Sequence, residues 1–312
     1  MSTGLATVTV RVPAKINLQL SVGPRRGDGH HPLTTVFLAV GLHDTVTAAP
    51  HHRLALTASG PYVRGVPLDG RNLAARAVHA LAQHHGRSPR VRLHLTKGIP
   101  AGAGLAGGSA DAAAALLACD RLWGTASPHP LLHRLAGGLG SDVPFALRGG
   151  AALGTGRGHR LAPLPAAPTH WVVAVGEQPL PTEQVYRRWD AMRALGELPV
   201  PRGGEGTAGR ADPDLLDALR TGDAPALARH LTNDLLPAAL SLAPALRRTR
   251  DAGLAGGALA ALLCGSGSTW AFLAADAAAA RSTATRLRAA GHRAHCVTAP
   301  CPGAHVLPAG PD

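Results

Sequence analysis

The chain has 312 residues, too long for a small stapled scaffold, and its 46% apolar content excludes wholesale disorder. Its four cysteines (Cys119, Cys264, Cys296, Cys301) show no C-x-x-C spacing, which excludes a disulfide framework and the common zinc ribbons and predicts a reduced, cytoplasmic protein. The formal net charge is +12, but Lys15 and Lys97 are the only lysines among 31 basic residues; the arginines are scattered and aromatics are only 3%, so phosphorylated small molecules account for the charge as well as RNA does.

Met1 to Val12 lacks an apolar run behind a basic start, so no targeting segment is expected. Period-two alternation at Val8, Val10 and Val12, then Leu18, Leu20 and Val22, then Leu54 and Leu56 predicts strands. A helix is predicted from Asn72 to His85, with Gly86 as its stop, and a strand at Val91, Leu93 and Leu95. An Ala/Leu helix follows from Ala110 to Leu122, ending at Gly124. Leu161 to Pro168 is Pro- and Ala-rich, which suggests a boundary between two units, 1–165 and 166–312. Trp171 to Val175 reads as a buried strand and Glu183 to Leu195 as a helix. The segment 197–213 is polar and rich in Pro and Gly, and reads as a loop insert. Helices are expected between Asp214 and Ala252. Ala252 to Ala275 carries no charge and is long enough for a membrane span, but its glycines and its Ser266, Ser268 and Thr269 fit a strand–loop–strand better. A helix over Asp276–Ala290 and a strand over Arg293–Thr298 close the chain, and the tail after Pro302 is expected to fray.

The richest segment is Pro100-Ala101-Gly102-Ala103-Gly104-Leu105-Ala106-Gly107-Gly108-Ser109-Ala110. Its glycines let backbone N–H groups converge without a Cβ in the way, and the helix that follows adds free N–H groups and the positive end of its dipole. Ser109 supplies a hydroxyl at the helix mouth. This is the physics of phosphate binding. The literal Gly102-x-Gly104-x-x-Gly107 also matches a dinucleotide fingerprint. That fingerprint wants its first glycine directly at a strand end and an acidic residue at the next strand's tip. Here Lys97 to Ala101 intervene, and Asp120 falls within the helix. A Walker A loop is excluded, because neither lysine precedes Ser or Thr. An ordinary Gly/Ala loop remains the competing reading of this segment alone.

Two further segments weigh against that bland reading. Val12-Pro13-Ala14-Lys15-Ile16-Asn17-Leu18, the glycine segment and Cys264-Gly265-Ser266-Gly267-Ser268-Thr269 resemble, in order, the three motifs of the GHMP kinases. The resemblance implies an α+β, two-domain architecture with the active site between an N-terminal ATP-binding domain (1–165) and a C-terminal domain (166–312). Asp28-Gly29-His30-His31, Arg71-Asn72-Leu73-Ala74, Gly140-Ser141-Asp142-Val143-Pro144-Phe145 and Asn233-Asp234-Leu235 resemble more narrowly the members whose acceptor alcohol carries a cytidyl diphosphate. They imply transfer of the γ-phosphoryl of ATP to a 2-hydroxyl of a cytidyl-diphosphate sugar alcohol, in isoprenoid precursor synthesis. The alternatives are a homoserine- or mevalonate-type kinase and, from another class, a basic nucleic-acid-binding protein.

The resemblance assigns roles residue by residue. Lys15 and Asp142 are the catalytic pair, the first stabilising charge on the transferred phosphoryl and the second acting as base or orienting acceptor for the hydroxyl. For Asp142, a helix N-cap or Asx-turn is the competing reading. Asn17, two residues along a strand, shares the face of Lys15 and contacts substrate. The glycine segment from Pro100 to Ala110 binds the nucleotide phosphates, with Asn72 and Lys97 on the adenine side; a helix cap and a solvated strand end are their competing readings. His30, His31, Thr182, Gly265, Ser266 and Gly267 are substrate-binding. The family has Tyr where His30 stands, so base stacking there is weaker. Magnesium is implied beside ATP, with Ser109 as a possible ligand. Asp111, one turn into the helix, is expected to stabilise the helix dipole rather than to bind magnesium. No metal spacing involves the other histidines, and neither nucleic acid nor membrane is expected as a partner.

Overall fold

A computed structural model of the chain describes residues 7–176, 180–198 and 209–308. The alternating apolar residues near the N-terminus form one long strand, β1 (Val8–Val22), paired antiparallel with β2 (Leu33–Pro50). Periodicity does not disclose β2. Its residues from Thr34 to Val40 are buried without a break, as expected of a strand covered on both faces. β3 (Ala55–Ser59), α1 (Leu73–His84) and β4 (Val91–Thr96) follow, and β4 pairs with both β2 and β3.

α2 (Gly107–Trp123) starts three residues before the expected Ala110 and stops where Gly124 turns left-handed at φ 63. Ala112 to Ala115 are all fully buried, and their small side chains let α2 lie close on β1 and β2 with α1 alongside. A chain with few aromatics fills its first core in this way, by close approach rather than by large side chains. α3 (His129–Leu139) and α4 (Val143–Arg148) lead into the hairpin of β5 (Ala151–Gly156) and β6 (Arg160–Leu164), and β5 pairs with the free edge of β2.

The second half runs β7 (Thr169–Val175), α5 (Thr182–Ala194), α6 (Pro213–Thr221), α7 (Ala224–His230), β8 (Thr232–Asn233), α8 (Leu236–Leu242) and α9 (Leu246–Ala255). It ends with β9 (Ala260–Leu263), β10 (Trp270–Ala274), α10 (Ala277–Ala289), β11 (Arg293–Ala299) and β12 (His305–Val306). A four-stranded antiparallel sheet, β11-β7-β10-β9, packs Trp270 and Phe272 against Trp189, Ala239 and Leu287 in a second core. The uncharged stretch Ala252–Ala275 is the end of α9 and the β9–loop–β10 unit. Among the described residues no helix is long and apolar enough to cross a membrane. Most of the 197–213 segment lies outside the described residues; its described end leads to Asp212, which caps α6 by accepting from the Asp214 N–H.

The tail after Pro302 does not fray. β12 pairs with β1 at Val10 and Arg11, the Ala304 N–H donates to the Ala146 carbonyl at 2.9 Å, and the Leu307 N–H donates to the Thr9 carbonyl at 2.8 Å. The far side of β1 offers unpaired backbone groups there, and the tail satisfies them. β8 pairs parallel with β1 at Gln19 and Leu20, so strands from the second half join the first sheet at two places.

Candidate active site

β1 runs through the middle of the larger sheet and places Lys15 and Asn17 side by side. Lys15 Nζ donates to Asn17 Oδ1 at 2.8 Å, and Asn17 Nδ2 donates to Thr35 Oγ1 at 2.8 Å. Thr35 in turn donates to the Gln19 carbonyl at 2.8 Å, so the row is fixed from β2. Lys15 is 7% exposed, with its ammonium 5.8 Å from the centre of the Phe37 ring. Asp142 Oδ2 lies 3.5 Å from Lys15 Nζ. Asp142 occupies the N-cap position of α4, yet its side chain makes no cap hydrogen bond. Its carboxylate is turned instead to the ammonium.

The glycine loop meets this pair from the other side. The Lys15 N–H donates to the Leu105 carbonyl at 3.3 Å. Ala106 enters α2 at φ 60, and no side chain caps the helix, so the first-turn N–H groups face the cleft without a side-chain acceptor. Gly104 has φ +82, and a Cβ there would fall 1.9 Å from the Cys264 carbonyl oxygen. Only glycine lets the two loops touch. The 264–269 loop is held from beneath by Asn233, whose Nδ2 donates to the Leu263 carbonyl at 2.8 Å and the Gly265 carbonyl at 2.7 Å. Ser266 Oγ lies 2.9 Å from Thr182 Oγ1, which ties this loop to the start of α5. Burial pushes the Cys264 thiol up to about 12, so it stays protonated and is no nucleophile.

These elements enclose a cavity of about 440 Å³ lined by Lys15, Asp142, the mouth of α2 and Ser266. A second cavity of about 560 Å³ adjoins it, lined by His30, His31, Tyr186 and Asp190. Leu33, Ser141, Arg157, Thr182 and Tyr186 line both. The His31 ring lies 5.0 Å from the Tyr186 ring and 5.5 Å, edge-on, from Trp189. Its Nδ1 is 2.9 Å from the Gly23 carbonyl and its Nε2 3.4 Å from Asp190 Oδ2. Burial, reinforced by the Asp142 carboxylate, pushes the Tyr186 hydroxyl well above its ordinary value, so it stays a neutral phenol.

Most of the expected residues converge. Gly102, Ala103, Gly104, Ala106, Gly107, Gly108 and Ser109 line the first cavity, whereas Pro100, Ala101, Leu105 and Ala110 do not. Thr182, Gly265 and Ser266 line it, and Gly267 does not. Asn72 and Lys97 stand apart. Asn72 caps α1, accepting from the Ala74 N–H at 2.8 Å and donating to the Pro67 carbonyl at 2.7 Å. Lys97 is 1% exposed, and its ammonium is bonded to Asp44 and, at 2.5 Å, to Asp111 Oδ2. Asp111 therefore does more than stabilise a dipole. With Lys97 and Asp44, whose Oδ1 accepts from the Gly98 and Ile99 N–H groups at 2.7 and 2.8 Å, it clamps the glycine loop from behind. Sequence reasoning missed Tyr186, Arg157 and Asp190. For Tyr186 a signal existed, since it is one of only two tyrosines in the chain.

Comparison with known proteins agrees with this geometry. The GHMP kinases N terminal domain matches residues 72–150, and the GHMP kinases C terminal domain matches residues 215–293. A 4-diphosphocytidyl-2-C-methyl-D-erythritol kinase of Streptomyces avermitilis is 54% identical over 96% of this chain and 100% of its own. One from Streptomyces coelicolor is 55% identical over 91% of this chain and 93% of its own. A crystal structure of 4-(cytidine 5'-diphospho)-2C-methyl-D-erythritol kinase superposes with a TM-score of 0.73 at 37% identity, covering 94% of this chain and 99% of that one. A homoserine kinase from Cytophaga hutchinsonii shares the fold, with a TM-score of 0.71 at 17% identity over 98% of this chain and 99% of that one.

Proposed function

The chain belongs to the GHMP kinase family, and on that premise we propose that it moves the γ-phosphoryl of ATP to the 2-hydroxyl of 4-diphosphocytidyl-2-C-methyl-D-erythritol, a step of the methylerythritol phosphate route to isoprenoids. The observation that carries the reading is the 3.5 Å approach of Lys15 and Asp142 beside the uncapped mouth of α2.

ATP is the phosphoryl donor in this family. Its phosphates fit the loop of Gly102 to Ser109, which offers backbone N–H groups and the Ser109 hydroxyl. The Lys15 ammonium, fixed by Asn17, stabilises negative charge gathering on the transferred group. Asp142 accepts the proton of the attacking hydroxyl. Little covalent chemistry is left to the protein, so holding the two reactants in line supplies most of the rate. Magnesium, when bound, neutralises phosphate charge. Ser109 lines the cavity and is suited to hold it, whereas Asp111 does not line the cavity and is engaged by Lys97.

The adjoining cavity takes the cytidine. Both ring nitrogens of His31 face Gly23 and Asp190, so its main chain, with the Tyr186 ring, is what remains to meet a base. We read residues 1–165 and 166–312 as the two domains, because the first cavity draws Lys15 and Asp142 from one and Thr182 and Ser266 from the other. The free state of all four cysteines favours a cytoplasmic enzyme. We read small phosphorylated molecules, rather than nucleic acid, as its partners.

An ATP-coupled assay that compares the cytidyl acceptor with homoserine and mevalonate tests this. Turnover on the cytidyl compound alone, abolished by a chelator and restored by magnesium, is the expected result. Preference for either other alcohol overturns the acceptor assignment.

A further inference from the structure

We propose that Arg157 is a specificity-determining residue that grips the diphosphate of the acceptor. The inference rests on the function proposed above and names a residue that none of the three motifs contains.

Arg157 sits at the tip of the β5–β6 hairpin, between Gly156 and Gly158. Gly158 has φ +92, and its Cα side faces the Phe37 ring, where a Cβ would stand 3.5 Å away, so the turn is seated on the floor of the catalytic cleft. The side chain is exposed and lines both cavities, the one that holds the catalytic pair and the one that holds His31 and Tyr186. Among the described residues Arg157 forms no ion pair. Its polar contact is the His30 ring, with Nη1 3.4 Å from Nε2.

The chemistry of the acceptor fixes what must lie between those cavities. Its base stands at one end, the reacting hydroxyl at the other, and the diphosphate joins them. An acceptor with its base against Tyr186 and its hydroxyl at Asp142 must lay the diphosphate across the junction that Arg157 shares with Ser141 and Thr182. Among the described residues Arg157 is the cation that lines both cavities, while Arg25 and Arg187 line the second and Lys15 the first, and a guanidinium fork matches two phosphate oxygens at once. A lysine would supply charge without the fork. The same placement explains discrimination among acceptors: small alcohols without a diphosphate give this guanidinium no phosphate to bind.

Because Arg157 is exposed at a hairpin tip, Arg157→Ala leaves the fold intact, and its melting temperature verifies that. The test measures steady-state kinetics with the cytidyl acceptor and binding of CDP and cytidine to wild type, Arg157→Ala and Arg157→Lys. We expect Arg157→Ala to raise KM for the acceptor about 10- to 100-fold, the span of a charge-assisted hydrogen bond, with KM for ATP unchanged. CDP affinity should fall by a similar factor, cytidine affinity should hold, and Arg157→Lys should recover part of the loss. An unchanged KM for the acceptor, an equal loss for CDP and cytidine, or a loss confined to ATP overturns the assignment of Arg157 while the kinase reading stands. A wild-type enzyme that fails to phosphorylate the cytidyl acceptor overturns both.

Discussion

Asp142 stands where an aspartate ordinarily caps a helix, and it does not cap. A carboxylate at a cap position that makes no cap bond and turns to a nearly buried ammonium is better explained by chemistry than by stability. Lys15→Ala and Asp142→Asn should therefore each lower kcat by roughly 10²- to 10⁴-fold, the range of a lost charge-stabilising or proton-transfer group. The melting temperature of Asp142→Asn should stay near wild type, since no cap is lost. A kcat within threefold of wild type for either variant removes that residue from the catalytic pair. His30 raises a different question, because it is exposed and its Asx turn, with the His30 N–H donating to Asp28 Oδ1 at 2.9 Å, fixes the backbone rather than the ring. A larger ring at this position covers more of a base. His30→Tyr should lower KM for the cytidyl acceptor several-fold, consistent with the roughly 1–3 kcal/mol of a base–aromatic stack. An unchanged KM would show that residue 30 does not stack.

At the scale of elements, the glycine loop is built by contacts behind it. Gly104→Ala brings a methyl group against the Cys264 carbonyl, so both loops must shift; thermal melting and kcat should fall together, whereas loss of turnover without loss of stability would place the fault elsewhere. The buried trio of Lys97, Asp44 and Asp111 is the second support. Burial raises both carboxyls against the pull of Lys97. A raised carboxyl binds its proton more tightly in the native than in the unfolded chain. Its stabilising contribution is thus full below the unfolded value of about 4 and is lost as pH rises through the raised value. Asp111→Asn keeps the shape and removes one of the two negative charges. Its melting temperature should gain on wild type as pH rises from 5 to 8, and parallel pH curves would refute the linkage. Lys97→Met, which leaves two buried carboxylates facing each other, should cost about 3–5 kcal/mol in denaturant unfolding. Helices such as α1 and α10, β1 and the glycine loop were legible in the sequence because caps, period-two alternation and glycine spacing are local signals, whereas α3 and α4 were not foreseen. This trio was not: Asp44 lies on β2, Asp111 on α2 and Lys97 just after β4, and no local spacing brings them together. For the same reason the motif placed Lys97 at the nucleotide, while the fold seals it behind the loop.

The molecule as a whole is stitched at β1, the strand that carries Lys15 and Asn17. Its partners are β2 along one edge and, along the other, β8 and β12, both from the second half of the chain. The closing segment adds direct ties. The Cys301 N–H donates to the Ala39 carbonyl at 3.0 Å and the Gly150 N–H to the Cys301 carbonyl at 2.7 Å, while Ala304 and Leu307 reach Ala146 and Thr9. At about 1 kcal/mol net for each backbone bond, these four ties amount to about 4 kcal/mol, a large share of the 5–15 kcal/mol by which a native chain is stable. The larger sheet lacks its full set of partners without β8 and β12 from the second half of the sequence, so the two halves should unfold as one. Calorimetry should give a single transition with equal calorimetric and van't Hoff enthalpies. Truncation after Pro300 removes all four ties and exposes the edge of β1. It should lower the melting temperature and split or broaden that transition, with Lys15 turnover lost alongside because its strand is no longer braced. Two separable transitions in the intact chain, or a truncated chain that melts like wild type, would show that the tail does not couple the halves.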